Sequence, residues 1–180
     1  MTAQNIEPHA DVFWQDVREQ FPLLRDRTYL NTATTGISPH SVLNAVKHHM
    51  EELEKTGDGD HSAELWADTK KRTAQLLGCN ADEIAFMRNT TEGSNIVCNG
   101  LPLKAGDEVI TSSHEHVGNT ITWLARQKRD GFVLKVFAPA LEAAETLARI
   151  EALITPRTRA LSITHVSCAS GQLLPVEQIG

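Results

Sequence analysis

The sequence predicts an α/β protein with a mostly parallel sheet covered by helices. Short apolar runs alternate with helix-length amphipathic segments from about residue 84 onward, and the connections between them are short. This alternation is typical of parallel sheets in which each strand is followed by a crossover helix. The 180 residues, 41% of them hydrophobic and 22% charged, suffice for a core and argue against disorder.

The first 80 residues are predicted to be mostly helical, with one brief extended piece over residues 28–31. Three helices are predicted there, over about residues 11–21, 39–57 and 61–77. The second helix begins with Ser38 as a capping hydroxyl and Pro39 in the first turn. The third helix begins near His61 and ends at Gly78, a predicted C-cap.

Strands and helices alternate in the rest of the chain. Four strands are predicted, over residues 84–87, 108–111, 132–137 and 158–163. Three helices are predicted between them. The first ends at Gly100, and the other two span about residues 118–129 and 141–154. Because no linker or internal repeat is evident, we expect a helical N-terminal arm over residues 1–35 and one domain over residues 36–180.

The composition argues against several classes of protein. Seventeen Lys and Arg residues against 23 Asp and Glu give a net charge of −6 without a basic run, which argues against a nucleic-acid partner. No apolar run approaches the ~18 residues of a membrane span, and the first eight residues lack the pattern of a secretion signal. The three cysteines lack the spacing of a disulfide frame or a zinc site. The cytoplasm is therefore the expected location.

Polar residues are concentrated after three of the four predicted strands. They occupy residues 88–93, 112–116 and 164–171, whereas Ala138 and Pro139 follow the third strand. In parallel sheets, ligands bind outside the carboxyl ends of the strands. We therefore expect a binding site at this end of the sheet, with the third strand at an edge.

Thr90 and Thr91 stand where a helix is predicted to begin. Their hydroxyl and N–H groups could bind an anion, because the first N–H groups of a helix are unpaired and its dipole favours negative charge. The alternative is a plain threonine N-cap that binds nothing. Neither GxGxxG nor GxxxxGK[ST] is present, so the sequence has no dinucleotide fingerprint and no P-loop.

Three further residues have more than one interpretation from the residues alone. His114 and His116 lie two apart on an extended segment and could form a metal pair, although no third ligand with suitable spacing accompanies them. A surface histidine is the alternative for His116. Cys168 could be a nucleophile, a ligand or a small buried side chain.

Four segments, taken in order, resemble the class V aminotransferase family. They are YLNTAT at residues 29–34, FMRNTTEG at 86–93, EHVGN at 115–119 with Trp123 beyond it, and THVSC at 164–168. Within the family, the sequence is most similar to the cysteine desulfurase and isopenicillin epimerase-like branch. The resemblance implies a homodimeric fold type I enzyme that uses pyridoxal 5′-phosphate (PLP) and acts on an amino acid. It leaves desulfuration, epimerisation and transamination open.

The same resemblance implies roles for individual residues. Thr90 and Thr91 match the threonine pair whose hydroxyl and amide groups hold the cofactor phosphate. His116 matches the residue that stacks on the pyridine ring and serves as a general acid or base. Cys168 stands where desulfurases carry an asparagine that donates to the phenolic oxygen, and a thiol is a weaker donor. Val117 stands where they commonly place a second histidine.

Asn31 and Ala33 belong to the segment that the resemblance places on the substrate side of the site. The family's Schiff-base lysine and the aspartate on the pyridine nitrogen have no counterpart here, and the last lysine is Lys135. We therefore expect the N-terminal part of a PLP-binding large domain, inactive alone. The alternatives are a non-catalytic remnant or partner-binding fragment, and an unrelated phosphate-binding α/β module.

Overall fold

A computed structural model of the chain describes residues 8–57 and 63–180, with side chains from residue 12 onward. The chain divides into two compact units between Ile84 and Ala85. The predicted arm over residues 1–35 and the predicted domain over residues 36–180 stay predictions. The predicted helix start near His61 lies outside the described residues.

The unit before Ala85 is helical, as the sequence predicts. It contains α1 (Pro8–Glu19), a 3₁₀ turn (Pro22–Arg25), α2 (His40–Thr56), α3 (Ala63–Leu77) and a second 3₁₀ turn (Ala81–Glu83). Gly78 follows α3 with a φ of +71°, a left-handed conformation that glycine adopts at helix ends. The capping role predicted for Ser38 is wrong, because Pro39 occupies the N-cap position of α2 and no side chain caps the helix.

The unit after Ile84 is a parallel sheet covered by helices, which confirms the predicted fold class. The strand order is β2–β1–β3, so β2 lies at an edge of the described sheet, as predicted. The strands are β1 (Glu108–Ser112), β2 (Val133–Phe137) and β3 (Thr158–Ser162). The helices are α4 (Thr90–Gly100), α5 (Val117–Asp130), α6 (Ala143–Glu151) and α7 (Val176–Ile179). None of the helices in the described part of the chain has the length and apolar character needed to cross a membrane.

Helices cover both faces of the sheet, so β1 is buried along its whole length. Val109 and Ile110, adjacent residues of β1, point to opposite faces and enter separate cores. One core contains Cys98, Val109, Trp123 and Phe132, and the other contains Ile110, Phe137 and Ile150. The first core packs α4 and α5 against the sheet, and the second packs α6 against the other face.

A β-bulge shifts the register between β1 and β3 near its start. Glu108 pairs with Thr158, whereas the next residue of β1 pairs with Ala160. Arg159 is therefore an extra residue on β3, and the strand continues in the shifted register to its last residue, Ser162.

The carboxylate of Glu108 is buried at the amino end of β1, where four donors surround it, the most distant being Thr158 Oγ1 at 3.4 Å. Lys135 Nζ, Thr155 Oγ1 and Arg157 Nη2 lie 2.6, 2.6 and 2.7 Å from its oxygens. The hydrogen bond from Lys135, followed by that from Thr155, holds the pKa of Glu108 at about 2. The ammonium of Lys135 is thereby fixed toward the amino end of the sheet.

The predicted first strand, over residues 84–87, is wrong. Ile84 is extended, with φ −97° and ψ 125°, but residues 84–87 belong to none of the strands of the described sheet. An apolar run favours extended backbone locally, yet a strand forms only where a neighbouring strand supplies hydrogen bonds. Phe86 and Met87 are 41% and 47% exposed, so the predicted burial is also wrong.

Candidate functional site

A cleft of about 690 Å³ opens at the carboxyl ends of β1 and β3. Three segments form its wall: the first turns of α4, the connection from β1 into α5, and the residues at and after the end of β3. The lining residues are Met87, Asn89, Thr90, Gly93, Ser94, Val97, Glu115, His116, Asn119, Trp123, Ser162, Ile163, Thr164 and His165. The three polar segments predicted from the sequence therefore meet at one place.

The N-cap of α4 is Asn89, which corrects the predicted threonine N-cap. Its Oδ1 accepts a hydrogen bond from the N–H of Glu92 at 2.9 Å. Asparagine is a stronger cap than threonine, and a glutamate three residues later is part of the capping-box pattern, so the sequence contained this signal. Thr90 and Thr91 are consequently the first two helical residues, whose N–H groups have no acceptor within the helix.

One face of α4 lines the cleft. Its residues follow the spacing of a helix face and are Thr90, Gly93, Ser94 and Val97. Thr91 lies off this face, and its Oγ1 packs against Gly118 of α5, where a Cβ atom would collide with it. The two predicted phosphate ligands therefore differ: the side chain of Thr90 lines the cleft, and that of Thr91 joins α4 to α5.

The carboxylate of Glu92 turns back toward Arg88. It accepts hydrogen bonds from the Arg88 N–H at 2.7 Å and from Arg88 Nη2 at 2.9 Å. These bonds hold the pKa of Glu92 below its usual value. Because this negative charge is paired and does not line the cleft, the first turn of α4 keeps its attraction for an anion.

His116 is the N-cap of α5. Its Nδ1 lies 3.0 Å from the backbone nitrogen of Gly118. A backbone N–H can only donate, so Nδ1 is the acceptor and the neutral ring carries its proton on Nε2. A Cβ atom on Gly118 would lie 3.1 Å from Nδ1 as well as against the Thr91 hydroxyl. Gly118 thus brings the predicted residues Thr91 and His116 together.

Glu115 accepts hydrogen bonds from residues of β1, of α5 and of the segment after β3. Its Oε1 accepts from Ser112 Oγ at 2.5 Å and from the Thr164 N–H at 2.9 Å, and its Oε2 accepts from Asn119 Nδ2 at 3.0 Å. No role was predicted for Glu115 from the sequence. Its i, i+4 spacing from Asn119 on a predicted helix start was a signal that could have indicated one.

Ser162, the last residue of β3, accepts from two side chains of α5. Trp123 Nε1 lies 2.8 Å and Asn119 Nδ2 3.1 Å from Ser162 Oγ. We refer to Ser112, Glu115, Asn119, Trp123, Ser162 and Thr164 together as the inter-loop network. Ser162 was not predicted, because its partners are 39 and 43 residues away and no local pattern connects them.

The segment after β3 is held by Ser167 rather than by Cys168. Ser167 is buried, and its Oγ donates to the His114 carbonyl at 3.2 Å. Cys168 is exposed and is not among the lining residues, whereas His165 is. The implied contact of Cys168 with the cofactor stays a prediction.

His114 does not line the cleft with His116. It is partly buried, and its Nδ1 has no hydrogen-bond partner among the described residues. Within residues 8–57 and 63–180, no group of three or more His, Cys, Asp or Glu side chains could hold a metal ion. The interpretation of His114 and His116 as a metal pair therefore has no support from the described residues.

Asn31 and Ala33 lie on a turn of the other unit. The Asn31 carbonyl accepts from the N–H groups of Thr34 and Thr35 at 3.1 and 3.2 Å. The Tyr29 hydroxyl donates to the carbonyls of Asn31 and Thr35 at 3.2 and 2.8 Å. These bonds fix the turn, and its position on the substrate side stays a prediction.

The family model for aminotransferase class-V matches residues 28–180. The chain belongs to this family. It is 34% identical over 172 residues to a probable cysteine desulfurase of Methanothermobacter thermautotrophicus, covering 92% of this chain and 43% of that protein. It is 30% identical over 179 residues to a cysteine desulfurase of Serratia proteamaculans, covering 91% and 44%. The predicted family and the likeness to cysteine desulfurases are confirmed.

Solved structures agree with this assignment. The fold is similar to that of a mutant of C-DES with glycine covalently linked to its PLP cofactor, with a TM-score of 0.79, 29% identity, and coverage of 90% of this chain and 44% of that one. It is also similar to the cystine C-S lyase C-DES in complex with its reaction product cysteine persulfide, with a TM-score of 0.78, 29% identity, and coverage of 89% and 44%. The chain thus spans less than half the length of these relatives, and PLP is confirmed as a cofactor of the family.

Proposed function

We propose that this chain supplies the phosphate-holding and ring-facing part of a PLP site in an enzyme that acts on cysteine or a related sulfur amino acid. The observation that carries the proposal is the cleft, whose wall includes both Thr90 at the start of α4 and His116 at the start of α5. The names of the similar proteins support the substrate class. A homodimer in the cytoplasm is part of the proposal, on the family resemblance.

The donors at the start of α4 fit a phosphate group. The N–H groups of Thr90 and Thr91 have no acceptor within the helix, and the hydroxyls of Thr90 and Ser94 are on its cleft-lining face. Gly93 lets the Met87 side chain lie directly against this face, because a Cβ atom there would collide with Met87 Sδ. We propose that Thr90 contributes its hydroxyl and that Thr91 contributes its N–H group.

His116 is placed to face the cofactor ring. Its ring is fixed by the Gly118 N–H, which leaves the Nε2 proton as the one available for transfer. When bound, PLP supplies the electron sink that stabilises negative charge on the amino acid. We propose that His116 holds or returns a proton at Nε2, and that Cys168, Asn31 and Ala33 contribute as the resemblance implies.

No lysine of the described residues lines the cleft. Lys135 is held by Glu108 and by the Leu153 carbonyl, 2.9 Å from its Nζ. We therefore propose that the 180-residue chain binds PLP without covalent attachment and is inactive alone. Borohydride treatment of the chain with PLP is expected to leave no lysine labelled stoichiometrically, and single-site labelling would contradict this.

A comparison of PLP with pyridoxal, which lacks the phosphate, tests the proposed site. Thr90→Val removes a hydroxyl donor to a charged group, a bond worth roughly 1.5–3 kcal/mol. PLP affinity, followed by quenching of tryptophan fluorescence, is expected to fall by about one to two decades, and pyridoxal affinity to change little. Thr91→Val leaves its N–H group in place and is expected to weaken PLP binding less.

The matched control is Thr69→Val, a change at an exposed threonine of α3 whose hydroxyl donates to the Leu65 carbonyl. This variant is expected to bind PLP like the parent chain. If the parent binds PLP no more tightly than pyridoxal, the cleft is not a phosphate site. If Thr90→Val and Thr69→Val bind PLP equally, the phosphate does not lie at the start of α4.

A further inference from the structure

The carboxylate of Glu115 is held by neutral donors alone. These are Ser112 at the end of β1, Asn119 in the first turn of α5, and the backbone of Thr164 after β3. None of the ion pairs in the described part of the chain includes Glu115. The oxygens of this partly buried carboxylate at the cleft wall therefore accept hydrogen bonds from three separate parts of the chain.

Two of these contacts fix main chain. Thr164 donates through its N–H, so this link holds the backbone of the segment after β3. Ser112 Oγ donates to Glu115 and also accepts from the His114 N–H at 3.2 Å. Ser112 thereby couples the carboxylate to the backbone of the β1–α5 connection.

His116 follows Glu115 directly in the chain. The inter-loop network fixes the main chain that precedes His116, and the Gly118 N–H fixes the imidazole ring of His116. Thr164, which donates to Glu115, is followed in the chain by His165, and His165 lines the same cleft. Glu115 thus ties the two histidine-bearing segments together, beside the bond from Ser167 Oγ to the His114 carbonyl.

We propose that Glu115 is a positioning residue that sets the separation between the His116 segment and the segment after β3, and so the width of the cleft available to the cofactor ring. This inference rests on the proposed function. Both oxygens of the carboxylate act as acceptors, because the Thr164 N–H and Ser112 on one oxygen and Asn119 on the other are all donors.

Three variants test this proposal: Glu115→Ala, Glu115→Gln and, as the matched control, Glu142→Ala. Glu142 is exposed, and its side chain makes no capping hydrogen bond to α6. The first measurement is amide hydrogen exchange of Thr164 by NMR in the cofactor-free chain. The second is PLP affinity together with the circular dichroism induced in bound PLP.

Glu115→Ala is expected to speed exchange of the Thr164 amide about tenfold, the effect of losing one hydrogen bond. It is also expected to weaken PLP binding about tenfold and to alter the induced circular dichroism. Glu115→Gln is expected to restore most of each signal, because its oxygen can face Ser112 and Thr164 while the Asn119 amide turns over. Glu142→Ala is expected to match the parent chain.

Unchanged exchange at Thr164 in Glu115→Ala would overturn the proposal, and so would parent-like PLP affinity with a parent-like spectrum. A parent chain that does not bind PLP refutes the proposed function instead, and the exchange measurement alone then decides whether Glu115 holds the two segments. If Glu115→Ala does not fold, Ser112→Ala removes one donor from the same carboxylate. Exchange at Thr164 must then still be faster than in Glu142→Ala.

Discussion

The hydroxyl oxygen of Thr91 lies against the α-carbon of Gly118, where any side chain would displace it. The first turns of α4 and α5 therefore approach each other at a residue without a side chain. His116, whose Nδ1 accepts from the Gly118 N–H, depends on the same approach. The cofactor contacts proposed for the two helices are coupled through this one position.

Gly118→Ala is expected to destabilise the chain by about 1–3 kcal/mol, because the added methyl group overlaps the Thr91 hydroxyl and crowds the His116 ring. Urea denaturation measures the change. Gly100→Ala is the control, since a Cβ atom there meets nothing within 4 Å. It is expected to stay within about 0.5 kcal/mol of the parent, and equal stability of the two variants would show that α4 and α5 are not in close contact.

His116→Asn and His116→Ala separate the capping role of this residue from its ring chemistry. Asparagine is a good N-cap and alanine is not, so only the alanine variant is expected to lose about 0.5–2 kcal/mol of stability. Both variants lack the imidazole, so both are expected to show the same change in the spectrum of bound PLP. Equal stability losses would show that the contact with Gly118 does not cap α5.

Ser162→Ala is expected to cost about 1–3 kcal/mol, because the buried indole N–H of Trp123 loses its acceptor. In a Trp123→Phe background the same change is expected to cost less, since the donor is already absent. A double-mutant cycle in urea gives the coupling energy. Additive effects would mean that the hydrogen bond between Trp123 and Ser162 contributes nothing to stability.

Acid is expected to remove the stabilisation that Glu108 provides. Its pKa is about 2 in the folded chain against an ordinary value of 4.5, so the unfolded chain binds more protons between these values. The stabilisation is complete above about pH 4.5 and is lost as the pH falls toward 2. Glu108→Gln should therefore flatten the dependence of the melting temperature on pH in this window.

Asp130 titrates in an overlapping range, since hydrogen bonds from Arg129 and Arg126 hold its pKa at about 2 against an ordinary 3.8. A residual slope below pH 3.8 is therefore expected in Glu108→Gln. Glu142→Ala serves as the control and should keep the full slope of the parent. A parent-like slope in Glu108→Gln would show that this carboxylate is not preferentially ionised in the folded state.

Features that depend on residues close together along the chain were predictable from the sequence. The apolar runs located β1, β2 and β3, and the polar segments that follow the strands located the cleft. Features that depend on distant partners were not. Residues 84–87 have the composition of a strand but join none in the described sheet. The direction of the Thr91 side chain depends on how closely α5 approaches, which no property of residues 86–93 encodes.

The extra residue on β3 decides which side chains can meet above the sheet. Side chains of a strand alternate between its two faces, and laterally paired residues of parallel strands share a face. Ser162 pairs with Thr111 and therefore lies on the α5 side, within reach of Trp123. If Arg159 instead paired with Val109 in a regular ladder, the same serine would stand opposite Ser112, on the side of α6. A bulge of one residue at the amino end of the sheet thus determines which side chains form the cleft wall at its carboxyl end.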